Sequence, residues 1–177
     1  MNQLERARVD ANIGAMSQPF DRRAFLLAAT ALAACNSRAL AAGDPYASSP
    51  FRKLTDADWQ KRVPPDSYRV LREEDTEAPF TSPLNNEHRR GVFACLGCGL
   101  PLFNSQWKFD SHTGWPSFWT VIPAAIVKKA DFKIGVPRTA YACARCLGHQ
   151  GHVFDDGPPP TGLRYCNNGV ALKFTPA

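Results

Sequence analysis

The sequence predicts a mainly β domain with a short helical N-terminal lead and a structural zinc site. Two observations carry the β expectation. From Asp75 onward, short apolar runs alternate with turn residues, the pattern of strands joined by tight connections. The 15 prolines and 12 glycines among 177 residues favour turns and short elements. Helix signals sit before Asp75. Thr55 with Asp58 makes a capping-box-like start. Trp59 and Val63 share one face of that helix, and Pro64-Pro65 stops it. Ser67 to Glu74 offers a second short helix with Tyr68 and Leu71 on one side. The expected strands are Gly91–Ala94, Pro101–Phe103, Phe118–Ile122, Thr139–Ala142, Val153–Phe154 and Val170–Phe174. Pro158-Pro159-Pro160 marks a rigid extended loop.

Composition bounds the function. Hydrophobic residues at 44% and charged ones at 21% are globular rather than disordered values, and the length suits one domain plus an appendage. Of the net charge of +5, residues 1–42 hold +2, from five arginines against three acids, which leaves about +3 without a basic cluster. Nucleic acid is therefore not expected as a partner.

Residues 1–42 are expected to be an address. Arg22-Arg23 precedes an uncharged apolar run, Ala24 to Ala34, too short for a membrane span of ~20 residues. The layout is that of a signal-peptide core, and the paired arginines resemble a twin-arginine signal. Ala39-Leu40-Ala41 is a cleavage-type signature, whereas Leu32-Ala33-Ala34-Cys35 resembles a lipobox. The expectation is an exported, periplasmic protein, released or lipid-anchored through Cys35, with Met16 as an alternative start and residues 43–53 as a linker.

Of six cysteines, five lie beyond the address. Four form two pairs, Cys95-Leu96-Gly97-Cys98 and Cys143-Ala144-Arg145-Cys146. Two such knuckles can hold one tetrahedral Zn²⁺, and four thiolates close its shell, so that metal would be structural. Disulfides and a redox Cys-x-x-Cys are the rival readings. The fifth, Cys166, has no partner in this arithmetic. On a strand, Arg164, Cys166 and Asn168 would point the same way, and a cation beside a thiol favours the nucleophilic thiolate. Gly148-His149-Gln150-Gly151-His152 lies upstream and could supply a proton donor.

These pieces together resemble the B-type peptide-methionine (R)-S-oxide reductases. The resemblance runs from about Leu54 to Phe174 and rests on Gly91-Val-Phe-Ala-Cys-Leu-Gly-Cys-Gly-Leu-Pro-Leu-Phe103, Lys108-Phe-Asp-Ser-His-Thr-Gly-Trp-Pro-Ser-Phe118 and the series from Cys143 through Arg164-Tyr-Cys-Asn-Asn168. It implies a pair of antiparallel sheets of the Mss4-like kind. It implies Cys166 as nucleophile, His149 and His152 around the sulfoxide oxygen, and Asn168, Arg164 and Asp156 as polar groups of the site. Trp115 would pack on the substrate methyl, with Phe118 beside it. Cys95, Cys98, Cys143 and Cys146 would hold one structural Zn²⁺. The expected activity is protein repair after oxidative stress, with oxidised proteins or peptides as substrates and a small thiol or thioredoxin-like protein as reductant. A monomer is expected. A non-catalytic zinc-knuckle binding module and a thiol–disulfide exchanger are the rival functions.

The chain departs from the family pattern in places. Thr113 stands where many relatives carry a resolving cysteine, and His112 where glycine is usual. Gln150, Asn167 and Gly169 also differ from the common residues.

Overall fold

The computed structural model describes residues 43–177. The expected signal, its cleavage signatures and Cys35 lie outside the described residues. Among those described, no helix is long and apolar enough to cross a membrane.

The helical lead forms where capping dictates. Helix α1, Asp56–Arg62, starts at Thr55 with a full capping box: the Asp58 N–H donates to Thr55 Oγ1, and the Thr55 N–H donates to Asp58 Oδ2. Helix α2 spans Pro65–Glu73 and ends at Glu74 in the left-handed region. It begins earlier than Ser67 because Pro65 at its first position forfeits no hydrogen bond. Trp59 and Leu71 are 1% and 2% exposed, and burying a side chain such as Leu71 stabilises by about 2 kcal/mol. Both press on Gly97 of the first knuckle, where an added Cβ would come within 2.9 Å of the Trp59 ring. The stretch read as a linker is tied down too: Arg52 donates to the Ala144 carbonyl at 2.6 Å and pairs with Asp44.

Two antiparallel sheets follow, as expected. The smaller has the order β2-β1-β9, with β1 Gly91–Cys95, β2 Pro101–Asn104 and β9 Leu172–Pro176. The larger has the order β3-β4-β8-β7-β6-β5. Its strands are β3 Lys108–Phe109, β4 Ser117–Phe118, β5 Ile126–Asp131, β6 Arg138–Cys143, β7 His149–Phe154 and β8 Arg164–Asn167. The sheets meet through aromatics. Phe103 stacks on Phe118 at 4.1 Å, Phe93 meets Phe118 edge-on at 5.0 Å, and Tyr141 and Tyr165 complete the cluster.

Three strand expectations change. Val170–Phe174 shifts to Leu172–Pro176 because Gly169–Ala171 forms a 3₁₀ turn. Phe118–Ile122 shrinks to Ser117–Phe118, because the Ile122 N–H turns to the Leu102 carbonyl instead of a large-sheet neighbour. Val153–Phe154 is the tail of a six-residue strand, so the two histidines lie on β7. Strand β5 was not anticipated. It is an edge strand carrying Lys128, Lys129 and Asp131, charges of the sort that protect an exposed edge and mask an apolar signature.

Register then builds the site. Cross-strand partners share a face, and Lys129–Ala140–His152–Cys166–Ser117 form one row across five strands. Asp131–Arg138 and Phe154–Arg164 stand two residues on, on the same face. Gly151, opposite Asn167, permits the approach of β8: a Cβ there would lie 1.9 Å from the Cys166 carbonyl oxygen. Gly151→Ala should therefore destabilise the domain by at least about 2 kcal/mol, as overpacking against backbone does. Urea denaturation checks this, and an unchanged midpoint would contradict the close approach.

Candidate active site and metal centre

Cys166 is half-buried on β8, beside a cleft of about 170 Å³ lined by Thr76, Trp115, Arg138, Gly151, His152, Phe154, Cys166, Asn167 and Asn168. Arg164 shares its face. Its guanidinium makes a two-point pair with Asp156, at 2.8 Å on each arm, and lies 4.3 Å from the Phe154 ring centroid. Sequence reasoning expected that cation to favour the thiolate. Burial outweighs that help: it pushes the Cys166 thiol above its ordinary value, and the Arg164 charge, which does favour the thiolate, offsets this only in part.

Asn168 falls just beyond β8 and braces rather than faces Cys166. Its Nδ2 donates to the Gln150 carbonyl at 3.0 Å, and its Oδ1 accepts from the Glu77 N–H at 3.0 Å. The chain leaves the strand at Asn167, whose amide oxygen accepts from the Tyr141 hydroxyl in the core at 2.8 Å.

The histidines come together through a bulge. Residues three apart on a regular strand face opposite ways. The β6–β7 register pairs Tyr141 with Gly151 but Ala142 with His149, so Gln150 is an extra residue. The two rings thereby meet at 5.4 Å. His152 lines the cleft in the Cys166 row, and its Nε2 lies 2.7 Å from Asp131 Oδ2, which also accepts from Arg138 at 2.5 Å. Burial lowers the His152 pKa while the Asp131 hydrogen bond opposes that. The Asp131 carboxylate itself is held well below its usual range by the Lys133 N–H first and His152 next. His149 stands behind, 3% exposed, with no partner among the described residues for either ring nitrogen, and burial takes its pKa down to about 4.

Trp115 reaches the cleft from the loop before β4, held by its indole N–H donating to the Glu77 carbonyl at 3.1 Å. Phe118 does not belong to the site. It is fully buried between the sheets against Phe103 and Phe93, because its position on β4 points away from Ser117 and Cys166. His112 adopts φ +57 with its N–H donating to Asp110, a left-handed conformation that accounts for the usual glycine.

Sequence reasoning missed several site residues. Asp131 and Arg138 flank the β5–β6 connection, and their pairing was readable only once β5 was recognised. Glu77 carries no periodic signal. Its carboxylate accepts the Gly169 and Val170 N–H groups while its backbone fixes Trp115 and Asn168, and burial raises its pKa. Gln150 links two centres: its Nε2 donates to Cys95 Sγ at 3.4 Å, and its carbonyl accepts from Asn168.

Those pKa directions predict the resting state. A thiol raised above about 8.5 is protonated at neutral pH. Alkylation of free Cys166 should therefore climb about tenfold per pH unit through neutrality, and Arg164→Ala should slow it at every pH. A plateau below about pH 8 would contradict this order of effects.

The four knuckle sulfurs converge, all within 4.8 Å of one another and buried. Cys95 and Cys146 Sγ lie 3.6 Å apart, and Cys98 and Cys143 Sγ 3.4 Å, far beyond an S–S bond of about 2.05 Å. The Gly148 N–H donates to Cys146 Sγ at 3.4 Å, as Gln150 does to Cys95. A closed, soft, four-thiol donor set with N–H···S support fits a tetrahedral metal ion.

Known proteins share this arrangement's sequence. The SelR domain matches residues 63–176. The protein named peptide methionine sulfoxide reductase MsrB of Agrobacterium fabrum is 48% identical over 130 residues, 73% of this chain and 96% of that one. The proteins of that name from Thiobacillus denitrificans and Leptospira interrogans are 50% and 46% identical, covering 69% and 68% of this chain and 93% and 92% of theirs. A SelR match over most of the chain, with relatives this similar along nearly their full length, establishes that the chain belongs to the B-type methionine sulfoxide reductase family.

Proposed function

We propose that the protein reduces methionine-(R)-sulfoxide in proteins and peptides to methionine, with Cys166 as nucleophile. The observation that carries this reading is one cleft bounded by a thiol, a carboxylate-anchored histidine and an indole. The pKa directions make the Cys166 thiol and the His152 imidazole both neutral at rest. Proton transfer between these row neighbours yields a thiolate and an imidazolium, which Asp131 stabilises. The thiolate attacks the sulfoxide sulfur while His152 gives its proton to the oxygen. The S–O bond breaks, and an electron pair passes from the Cys166 sulfur to the substrate. The transient bond between the two sulfurs then breaks, its electron pair leaving with methionine, as oxygen and proton end on Cys166 as a sulfenic acid. Trp115 receives the methyl group, Asp156 aligns Arg164, and His149 supplies a second polar ring behind His152. A thiol donor, small or thioredoxin-like, then reduces the sulfenic acid and releases water. Thr113, whose hydroxyl is within hydrogen-bond distance of Ser111, occupies the position of the resolving cysteine in many relatives, so the reductant is external.

The metal is Zn²⁺, one per chain, held by Cys95, Cys98, Cys143 and Cys146. Four thiolates leave no open position, so it holds the fold together and takes no part in the chemistry. The Arg22-Arg23 segment directs a monomeric enzyme to the periplasm, either released after Ala41 or lipid-anchored through Cys35. Family membership disfavours a non-catalytic zinc-knuckle module.

The test is turnover of the separated epimers of a peptide methionine sulfoxide with dithiothreitol. Consumption of the R epimer alone is expected. Zinc-loaded, folded protein that consumes neither would overturn the reading.

A further inference from the structure

Each metal knuckle receives two arginines, and no mechanism step uses them. On the first, Arg62 Nε donates to the Gly97 carbonyl at 2.7 Å and Arg145 to the Cys98 carbonyl at 3.2 Å. On the second, Arg52 donates to the Ala144 carbonyl at 2.6 Å and Arg72 to the Cys146 carbonyl at 3.3 Å. They come from different parts of the chain: the 3₁₀ turn Pro50–Lys53, α1, α2 and the second knuckle itself. Three are held over aromatic rings of the lead: Arg62 over Phe51 at 4.9 Å, Arg72 over Trp59 at 5.2 Å and Arg145 over Tyr46 at 5.7 Å. Arg52 is instead fixed by Asp44, the one carboxylate paired with any of the four among the described residues.

The charges complement one another. A zinc ion with four thiolates carries a net double negative charge. Burying such an anion is costly unless cations and N–H donors face it. The arginines face the knuckle carbonyls from outside while Gly148 and Gln150 donate to the sulfurs from within. A lysine would lack the planar surface that stacks on the rings. We propose that Arg52, Arg62, Arg72 and Arg145 form a cationic clamp around the tetrathiolate metal, which sets how slowly the metal is lost and fastens the helical lead to it. This rests on the zinc reading above, and the arginines act as positioning residues.

The experiment uses the full zinc-loaded chain. Metal analysis comes first: chains without zinc would overturn the metal reading, and the clamp with it. Zinc release to a chromophoric chelator in excess is then timed. Arg62→Gln, Arg72→Gln and Arg145→Gln should each release zinc about tenfold faster, the lower end for a lost outer-shell partner of a metal site. The matching lysine variants should recover part of that loss. Arg69→Gln is the control, since among the described residues Arg69 pairs only with Asp66 and Asp75 on the surface. Added salt should speed release from the parent chain more than from an Arg62→Gln/Arg145→Gln double variant. Zinc-bound glutamine variants that match the parent rate overturn the clamp. Should they fail to fold, the parent chain decides: release indifferent to salt overturns it, and release accelerated by salt supports it.

Discussion

Replacing Cys166 with serine is expected to leave a folded protein whose reduction of the R epimer falls by at least about 10⁴-fold, the scale on which removal of a sole nucleophile acts. The argument is chemical before it is structural. The reaction needs an atom that attacks electrophilic sulfur and then carries away oxygen as a stable, reducible adduct. A serine hydroxyl does neither at neutral pH. The other described cysteines cannot substitute. Among the described residues they are the four buried knuckle thiols, whereas Cys166 alone borders the cleft. Stability should change little, because Cys166 is only half-buried and serine keeps its volume nearly unchanged. Single-turnover conversion of R-sulfoxide, without added reductant, reads the step directly. The parent chain should convert about one equivalent and stop. A serine variant that still converts a full equivalent would place the nucleophile elsewhere.

How far the site could be read in advance follows from where its information lies. Cys166, Arg164, His152 and Trp115 belong to local signatures, and the structure brings all four to one region. The mainly β character was legible because apolar runs with turn punctuation survive in β1, β2, β6 and β9, whereas the division into two sheets was implied only by the family resemblance. What escaped was non-local. The meeting of His149 with His152 depends on a bulge at Gln150, visible only once β6 and β7 are paired. Asp131 escaped because an edge strand rich in lysine looks like a loop. Glu77 escaped because its partners Gly169, Val170, Asn168 and Trp115 are far along the chain. Phe118 was misplaced for the opposite reason: a motif groups neighbours in sequence, yet alternation sends Ser117 and Phe118 to opposite faces of β4. The raised Cys166 pKa likewise reflects burial, which a neighbouring arginine in the sequence does not reveal.

Losing a knuckle ligand should cost more than losing any single core contact. Cys143 is fully buried, and its sulfur lies 3.4 Å from that of Cys98. Cys143→Ser is expected to lower stability by at least about 5 kcal/mol, a large part of the roughly 5–15 kcal/mol a domain possesses; structural zinc in small peptides contributes about 10 kcal/mol or more. The damage should not stay local. Trp59 and Leu71 seat the lead on Gly97, and the chain leaving that lead carries Thr76 into the cleft and the Glu77 carbonyl to the Trp115 indole. Gln150 joins Cys95 to Asn168 from the other side. Activity and thermal midpoint should therefore fall together as a chelator removes the metal, although no metal ligand borders the cleft. Circular dichroism melts and epimer turnover on the same chelated samples measure the coupling. Metal-free protein that keeps both its midpoint and its activity would show that the four sulfurs neither hold the fold nor communicate with Cys166. Activity lost at an unchanged midpoint would confine the coupling to Gln150 and the lead.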